Sequence, residues 1–345
     1  MKVALYEGPR KITLKQRPDP KAGPGDVIIK IKYVGICGSD FHTYLNGGPV
    51  IPVGIVLGHE NVGTVAEVGA GVKGWQVGDR VIASAPGPCG ECYYCLHGRP
   101  SICVNGFPQT NGLARDGGMA EYMLVKDPAA MLHRIPDSVS FEDAVLFDIM
   151  CVGIKGVRES AFRFADNVVV VGAGAIGLST IQMLKLAGAR HVTALQPSAK
   201  KRELALQFGA DLALNPAESG QNLQSKIRSL YDGIGADVAF ECAGNPDSLQ
   251  AAISSVRGGG QVLVLGTGGE PTPIIEGLMV LSEINMKFSL AYTADDINIF
   301  LDMLTKHRIK TEGMVSDIIK LDDIVEKGFE RMANTKGLVK VLVAP

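Results

Sequence analysis

The sequence has no apolar run long enough to cross a bilayer, which takes about 20 residues, and no excess of charge of one sign. Its 34 basic residues nearly balance its 36 acidic ones, so no strong field attracts nucleic acid or an anionic membrane. The N-terminus also lacks a basic segment followed by an apolar stretch, which is the pattern of an export signal. These absences predict a cytoplasmic protein with neither a membrane nor a nucleic-acid partner.

Cysteine is scarce and unevenly placed, whereas length and apolar content are ample. With 345 residues and 46% hydrophobic content, the chain can bury two cores, which predicts two domains. The seven cysteines cannot all pair, and four of them lie between Cys89 and Cys103. In a chain that is not exported, such crowding indicates metal binding rather than disulfides.

The first candidate metal site combines Cys37, His59 and Glu60. Thiolate, imidazole and carboxylate are ligands that zinc accepts, and a catalytic zinc needs three such ligands and an open position. Asp148 stands among apolar residues. Burying its carboxylate alone would cost several kcal/mol, so we expect a metal or a cation beside it. Each residue alone is more often structural, and the prediction depends on their combination.

Ser39 and His42 follow Cys37 and lie three residues apart. On a helical turn they share a face. A hydroxyl beside a metal, with an imidazole behind it, can pass a proton outward. The pair is therefore predicted to act as a proton relay.

The second candidate metal site has the spacing C-x-x-C-x-x-C-x7-C and consists of Cys89, Cys92, Cys95 and Cys103. Four thiolates at these intervals can enclose one zinc ion and leave no open position, which predicts a structural zinc. An iron–sulfur cluster is the alternative, although the fourth spacing fits the common ferredoxin patterns poorly.

A glycine-rich turn opens the second half of the chain. The apolar strand Asn167–Val171 runs into Gly172-Ala173-Gly174-Ala175-Ile176-Gly177 and then an amphipathic segment. This context predicts a dinucleotide-binding loop, in which the backbone approaches a pyrophosphate at the positive end of a helix. Strand-like and helix-like segments then alternate as far as a last strand at 261–265, which predicts a parallel sheet with crossover helices. Beyond residue 291 we expect helices at 295–306 and 321–332 and a closing strand at 337–343.

The residues after the second strand of this alternation bear on the choice of cofactor. A carboxylate there would bind the adenosine ribose and repel a 2′-phosphate. This chain instead has Gln196 and Ser198, followed by Lys200, Lys201 and Arg202. The pattern favours NADP, because a cation can pair with the phosphate. Two alternatives stay open: the cations form an ordinary solvated helix face, and Gln196 hydrogen-bonds a ribose.

Taken together, these motifs resemble the zinc-dependent medium-chain dehydrogenase/reductase family of alcohol, sorbitol and threonine dehydrogenases over essentially the whole chain. The resemblance implies an α/β protein in which a GroES-like, β-rich catalytic domain encloses a Rossmann domain with a doubly wound parallel sheet. The implied limits are 1–151 and 292–345 for the first, with a structural zinc lobe at about 86–106, and 152–291 for the second. Cys37, His59 and Asp148 would bind the catalytic zinc, while Glu60 would exchange in and out or bind through water.

The implied activity is hydride transfer between a secondary alcohol, such as a polyol, diol or related sugar alcohol, and NAD(P). Alternatives are a threonine-type amino-alcohol dehydrogenase, a ketone reductase and, from another class, a non-catalytic nucleotide-binding structural protein. A homodimer or homotetramer is implied, with pairing through the sheet edge after 261–265. The expected cofactor-binding residues are Gly172, Gly174, Ala175, Ile176, Gly177, Gln196, Ser198, Lys201, Ala243, Leu265 and Gly266.

Two positions depart from the common family pattern. Asp148 is followed by Ile149, where polyol dehydrogenases commonly have Glu-Pro, and Lys155 stands where relatives often have a histidine near the cofactor. Tyr44, Phe107 and Leu113 are expected near the substrate pocket.

Overall fold

The computed structural model describes residues 1–48, 51–85, 87–218 and 223–345. The chain divides into two compact units, the first formed by Met1–Asp148 with Ala291–Pro345 and the second by Ile149–Leu290. The limits fall at residue 148 rather than 151 and at 291 rather than 292.

The N-terminal part of the first unit consists mainly of strands joined by turns and short helices. Its strands are β1 (Lys2–Gly8), β2 (Lys11–Gln16), β3 (Val27–Gly35), β4 (Glu60–Val68), β5 (Arg80–Ala83), β6 (Tyr122–Val125) and β7 (Leu132–Arg134). Its helices are α1 (Gly38–Asn46), α2 (Tyr93–Leu96), α3 (Pro128–Met131) and α4 (Phe141–Ala144), with single 3₁₀ turns at Pro100–Ile102 and Phe107–Gln109.

Strands and helices alternate in the middle of the chain. The helices are α5 (Phe147–Glu159), α6 (Ala175–Leu186), α7 (Ala199–Gln207), α8 (Leu223–Leu230), α9 (Pro246–Ser255) and α10 (Glu276–Ser282). The strands are β8 (Asn167–Val171), β9 (His191–Leu195), β10 (Leu212–Leu214), β11 (Ala236–Glu241), β12 (Val256–Val264) and β13 (Asn285–Phe288).

The C-terminal segment returns to the first unit with α11 (Ala294–Thr305), β14 (Val315–Lys320), α12 (Arg331–Asn334) and β15 (Lys340–Ala344). The single helix predicted over 321–332 is wrong, because the segment is a 3₁₀ turn, a π-helix over Ile324–Glu330 and then α12. Gly328 lets this wider helix lie close to its neighbours: a Cβ there would come within 3.0 Å of Ile36 and 3.2 Å of Ile319.

In the first unit β1 and β2 form a separate antiparallel pair. The larger sheet is built around β3, whose β-branched, apolar sequence suits a buried strand. Within the described ranges, seven strands form this sheet in the order β14-β15-β3-β4-β5-β7, with β6 also paired to β3. Gly35 at the end of β3 lies opposite Glu60 of β4 and opposite Leu342 of β15. This register places the end of β3 between the start of β4 and β15, close to Cys37, His59 and Glu60.

The sheet of the second unit is parallel. In the part of the chain that is described, six strands lie in the order β10-β9-β8-β11-β12-β13, which is the doubly wound Rossmann order. The prediction that 261–265 is the last strand is wrong, since β13 follows it and forms the outer edge. Its sequence, Asn-Met-Lys-Phe, alternates polar and apolar residues over only four positions, and its pairing with β12 establishes it as a strand.

Among the described residues, no helix combines the length and the apolar character that a membrane span requires.

Candidate active site

Four side chains from three separate segments converge in the first unit. One possible ligand atom from each of Cys37, His59, Glu60 and Asp148 lies within 4.8 Å of all the others. Cys37 precedes α1, His59 and Glu60 stand at the start of β4, and Asp148 lies in the first turn of α5. The structure thus brings together the residues that the sequence proposes as catalytic zinc ligands.

Two glycines make room for this cluster. A Cβ at Gly35 would come within 1.9 Å of Glu60 Oε2, so the carboxylate of Glu60 lies directly against the backbone of β3. Gly58 has a φ of +97°, which favours glycine, and a Cβ there would press on Val34 and Met119. Both positions therefore depend on the absence of a side chain.

Asp40 contacts the cluster, although the sequence analysis did not identify it. Its buried carboxylate accepts a hydrogen bond from the backbone N–H of Cys37 at 3.0 Å, and its Oδ1 lies 3.5 Å from Nδ1 of His59. Within the described residues, these last two atoms have no hydrogen-bond partner. A carboxylate behind a metal-binding histidine fixes the orientation of the ring. The available signal was an aspartate at the third position of the helix that follows Cys37.

Lys340 of β15 also contacts the cluster and was missed. Its ammonium donates to both carboxylate oxygens of Glu60, at 2.6 and 2.7 Å, and lies 3.3 Å from the carbonyl oxygen of Ile36. Both side chains are buried. The available signal was a lysine within the apolar run of the closing strand.

The charges in this cluster shift one another's protonation equilibria. Burial, with repulsion from Glu60 as a second cause, raises the pKa of Asp148 to about 6. Burial alone would lower the pKa of His59, but attraction to Asp40 and Cys37 outweighs it and holds that pKa well above its usual value.

The donor set fits zinc. One thiolate, one imidazole and a choice of two carboxylates are ligands that zinc accepts, and three of them leave a position open. The unpartnered pair of Asp40 Oδ1 and His59 Nδ1 fits as well, because a metal on the other ring nitrogen would leave Nδ1 to donate to Asp40. Cys37, His59 and either Glu60 or Asp148 are therefore suited to hold such an ion.

Ser39 and His42 both lie on α1, three residues apart, as the sequence predicts. Ser39 is half-buried and His42 is exposed. Their role as a proton relay stays a prediction.

The four cysteines predicted to bind a structural zinc also come together. One sulfur from each of Cys89, Cys92, Cys95 and Cys103 lies within 4.8 Å of the others. The backbone N–H groups of Cys89 and Cys92 donate to the sulfurs of Cys103 and Cys89 at 3.3 and 3.4 Å. A hydrogen bond from the backbone of Cys95 lowers the pKa of the Cys92 thiol to about 6, which favours the thiolate that binds metal.

The glycine-rich loop of the second unit joins β8 to α6. Gly172 has a φ of +92°, and a Cβ at Gly177 would lie 1.8 Å from the Gly172 carbonyl oxygen, so helix and strand approach closely only with glycine at 177. Gly174 faces open space and no side chain caps α6. Ala175 and Ile176 begin this helix, whose free backbone N–H groups suit a pyrophosphate.

The residues after β9 lie beside this loop. The side-chain oxygen of Gln196 accepts a hydrogen bond from the backbone of Ala173 at 3.1 Å. Arg202 turns back and donates to the carbonyl oxygens of Gln196 and Pro197, so its guanidinium stabilises the turn. Ser198 precedes α7, and burial lowers the pKa of the half-buried Lys201.

Ala243, Leu265 and Gly266 lie beyond the ends of β11 and β12, where cofactors bind in doubly wound sheets. Glu241, which the sequence analysis missed, organises this edge. Its buried carboxylate accepts hydrogen bonds from the backbone of Ala243 and Gly244 and from the Ser248 hydroxyl, at 2.7, 2.8 and 2.7 Å.

Tyr44, which the sequence analysis places near the substrate, belongs to the core. Its ring stacks on Phe329 at 4.7 Å and its hydroxyl donates to Glu330 at 2.6 Å. Phe107 is exposed and Leu113 is half-buried. Lys155 is buried in the second unit, where its ammonium donates to the Leu290 carbonyl oxygen at 2.7 Å.

The first unit has a mainly antiparallel sheet, a cluster of mixed metal-binding donors and a four-cysteine loop, and the second is a Rossmann unit with a glycine-rich loop. Together these features define a zinc-binding, nucleotide-dependent dehydrogenase. Family models confirm the class: residues 23–137 match the alcohol dehydrogenase GroES-like domain and 175–306 match the zinc-binding dehydrogenase domain.

Similar proteins cover the whole chain. It is 33% identical to (R,R)-butanediol dehydrogenase of Bacillus subtilis over 100% of both chains, and 32% identical to human sorbitol dehydrogenase over 97% of this chain and 93% of that one. A crystal structure described as a zinc-binding dehydrogenase of Sinorhizobium meliloti bound to NADP superposes with a TM-score of 0.89, at 30% identity, covering 100% of this chain and 99% of the other. The chain therefore belongs to the zinc-dependent medium-chain dehydrogenase family and is an oxidoreductase of the alcohol dehydrogenase type.

Proposed function

We propose that this enzyme transfers a hydride reversibly between a secondary alcohol of the diol or polyol class and NAD(P). The observation that supports it most is the cluster of Cys37, His59, Glu60 and Asp148, whose ligand atoms lie within 4.8 Å of one another beside α1. Relatives named butanediol dehydrogenase and sorbitol dehydrogenase favour a diol or a polyol as the alcohol.

Cys37 and His59, with Asp148 or Glu60, hold the catalytic zinc in this proposal. When bound, zinc supplies Lewis acidity, which lowers the pKa of a coordinated water from about 15.7 to about 7 and acts likewise on an alcohol. The Ser39 hydroxyl accepts the proton of the substrate, and the exposed His42 releases it to solvent. The four cysteines of the loop hold a second, structural zinc.

The loop from Gly172 to Gly177 binds the cofactor pyrophosphate, with Gln196 and Ser198 near the adenosine ribose and Ala243, Leu265 and Gly266 at the strand ends. We propose a preference for NADP. The chain has no acid directly after β9, and Lys200 and Lys201 remain to face a 2′-phosphate while Arg202 is occupied by the turn.

We further propose a cytoplasmic homodimer or homotetramer. Four cysteines that bind metal must stay reduced, as they do in the cytoplasm. Among the described strands β13 pairs only with β12, and Leu281, Phe288 and Leu290 near it are exposed, which suits pairing with a second copy. Light scattering of the purified protein measures this state directly.

Metal analysis, together with a substrate screen, tests the proposed activity. Diols, polyols, amino alcohols and simple 2-alkanols are assayed with NAD and NADP by nicotinamide absorbance, and the matching ketones are assayed in reverse. We expect zinc-dependent oxidation of diols or polyols. Selective turnover of amino alcohols would favour a threonine-type enzyme, and turnover confined to ketones would favour a reductase. A carefully prepared metal-free protein that turns over equally fast would refute the proposal.

A further inference from the structure

Glu241, the last residue of β11, is a buried carboxylate with no cation beside it. Only 1% of its surface is exposed, and its Oε1 accepts hydrogen bonds from the backbone N–H groups of Ala243 and Gly244 at 2.7 and 2.8 Å. Among the described residues no lysine, arginine or histidine forms an ion pair with it, whereas the buried Glu60 has Lys340 as its partner. Buried charges generally have a partner, so the exception asks for an explanation.

Groups without net charge stabilise this carboxylate. The two backbone N–H groups can only donate, and the Ser248 hydroxyl lies 2.7 Å from the same oxygen. Ser248 is the third residue of α9, so the carboxylate also lies near the positive end of that helix. Hydrogen bonds of this kind favour the charged carboxylate over the neutral acid. Glu241 is therefore an anion held by dipoles.

The other charges near β11 do not cancel this anion. Asp237 and Arg257 pair with each other four residues away, about 13 Å along the strand. Asp247, in the first turn of α9, is exposed and negative. Burial and, as a second cause, repulsion from Glu241 raise the pKa of the adjacent Cys242 thiol. The negative charge thus acts on its surroundings within the second unit.

The position of this anion in the sheet relates it to one end of the cofactor. β8, β9 and β10 form one half of the sheet and β11, β12 and β13 the other. A dinucleotide bound to such a sheet extends from one half to the other where the strand order reverses, here between β8 and β11. The loop proposed for the pyrophosphate follows β8, and the residues proposed for the adenosine ribose follow β9. The nicotinamide therefore belongs to the half that begins with β11.

Two glycines show how closely Glu241 approaches the expected cofactor edge. A Cβ at Gly172 of the glycine-rich loop would come within 2.9 Å of the Ala243 Cβ. A Cβ at Gly266 would come within 2.6 Å of Oε2 of Glu241. The carboxylate thus lies directly against backbone that we expect to line the nicotinamide half of the site.

The oxidised nicotinamide ring carries a positive charge that the reduced ring lacks, while both forms have the same pyrophosphate and adenosine. A fixed anion attracts only the oxidised ring, and surroundings of low dielectric strengthen that attraction. We propose that Glu241 stabilises the oxidised cofactor relative to the reduced one and thereby shifts the equilibrium between the two bound forms. This inference rests on the proposed function only in assuming that the cofactor is a nicotinamide nucleotide.

Cofactor affinities, measured without turnover, test this role. Calorimetry gives the dissociation constants of NAD, NADH, NADP and NADPH for the zinc-loaded protein and for Glu241→Gln. Glutamine keeps the shape of the side chain and an accepting oxygen, but it removes the charge. We expect the oxidised form to weaken relative to the reduced form at least about fivefold. That change raises the reduction potential of the bound couple by about 20 mV.

Ser248→Ala is the matched control, because it removes a hydrogen bond to the same oxygen and keeps the charge. It should leave the ratio of the oxidised and reduced affinities unchanged. ADP-ribose, which has no nicotinamide, is the reference ligand for effects on the rest of the site. In Glu241→Gln its affinity should change by the same factor as that of the reduced cofactor. Equal changes for the oxidised form, the reduced form and ADP-ribose, or no change at all, would overturn the inference.

If Glu241→Gln does not fold, a crystal structure of the unchanged protein with the oxidised cofactor decides. A nicotinamide ring within about 10 Å of the Glu241 carboxylate, with no cation between them, supports the inference. A more distant ring, or a lysine or arginine between the two, overturns it. Failure of all four nucleotides to bind would instead refute the proposed cofactor, and this inference with it.

Discussion

The two candidate metal-binding clusters of the first unit are assembled in different ways. The cysteine loop takes all its donors from one short segment, and backbone N–H groups of that segment hydrogen-bond the sulfurs. The cluster around Cys37 and His59 draws on three distant segments and is flanked by two further buried charges, Asp40 and Lys340. A closed structural site needs only local spacing, whereas a site with an open position also needs control of orientation and charge. The predictions below test this contrast, in order of decreasing effect on turnover or on the protein.

Cys37→Ala removes the thiolate of the mixed cluster. We expect turnover to fall at least about thousandfold, because several kcal/mol of Lewis-acid stabilisation are lost. Zinc content should fall by one ion per chain while the cysteine loop keeps its own. Steady-state kinetics and metal analysis of the same sample check both, and near-normal turnover would show that the cluster is not catalytic.

Ser39→Ala should leave both metal clusters intact and interrupt the proposed relay. Loss of a positioned acid–base group typically costs about a hundredfold or more in rate. We expect that fall in turnover with unchanged zinc content, measured alongside His42→Gln, which should show a smaller loss because solvent can replace an exposed group. An unchanged rate would remove Ser39 from the relay.

Asp40→Asn tests whether the mixed cluster depends on a residue that binds no metal. Losing the carboxylate behind His59 should weaken zinc about 10- to 100-fold, with a smaller fall in turnover at saturating zinc. Competition with a chelator measures the affinity. If zinc at this cluster is held as tightly as before, Asp40 does not orient His59.

Cys103→Ser should show that the two clusters have different roles. We expect one zinc per chain to be lost and residues around the loop to become sensitive to proteolysis, because metal binding contributes to folding there. Turnover at a temperature where the variant stays folded should remain within about threefold, since no catalytic ligand has changed. A loss as large as that of Cys37→Ala would contradict the division into a structural and a catalytic site.

His133→Gln tests a loss of folding stability at acid pH that involves neither proposed metal site. Burial lowers the pKa of His133 to about 4, and its Nε2 lies 3.3 Å from the Ser84 hydroxyl. Between about pH 4 and its unfolded value near 6.5, the unfolded chain binds a proton that the folded chain does not, so stability falls as pH drops through this window. The variant should show an acid loss smaller by on the order of 1 kcal/mol with unchanged zinc content. Identical denaturation curves across that range would assign the acid sensitivity to other groups.

Local patterns in the sequence were sufficient to predict much of this protein. Three patterns could be interpreted from a few neighbouring residues each. They are the cysteine spacing, the Cys37-to-His42 segment and the strand, glycine turn and helix that begin at Asn167–Val171. Donor types and turn geometry are set by neighbours along the chain. The parallel sheet followed from the alternation of segments, and the structure confirms it.

Other features were decided by the tertiary structure. The buried pairing of Glu60 with Lys340 arises because the end of β3 lies between the start of β4 and β15, which no spacing reveals. Asp40 and Glu241 accept hydrogen bonds from backbone groups that the fold brings to them. Strand β13 is defined by its pairing with β12. Sequence by itself determined which chemistry was present, because side-chain types and local spacing carry that information. Only the folded chain decided which distant charges face each other, because that depends on strand register over hundreds of residues.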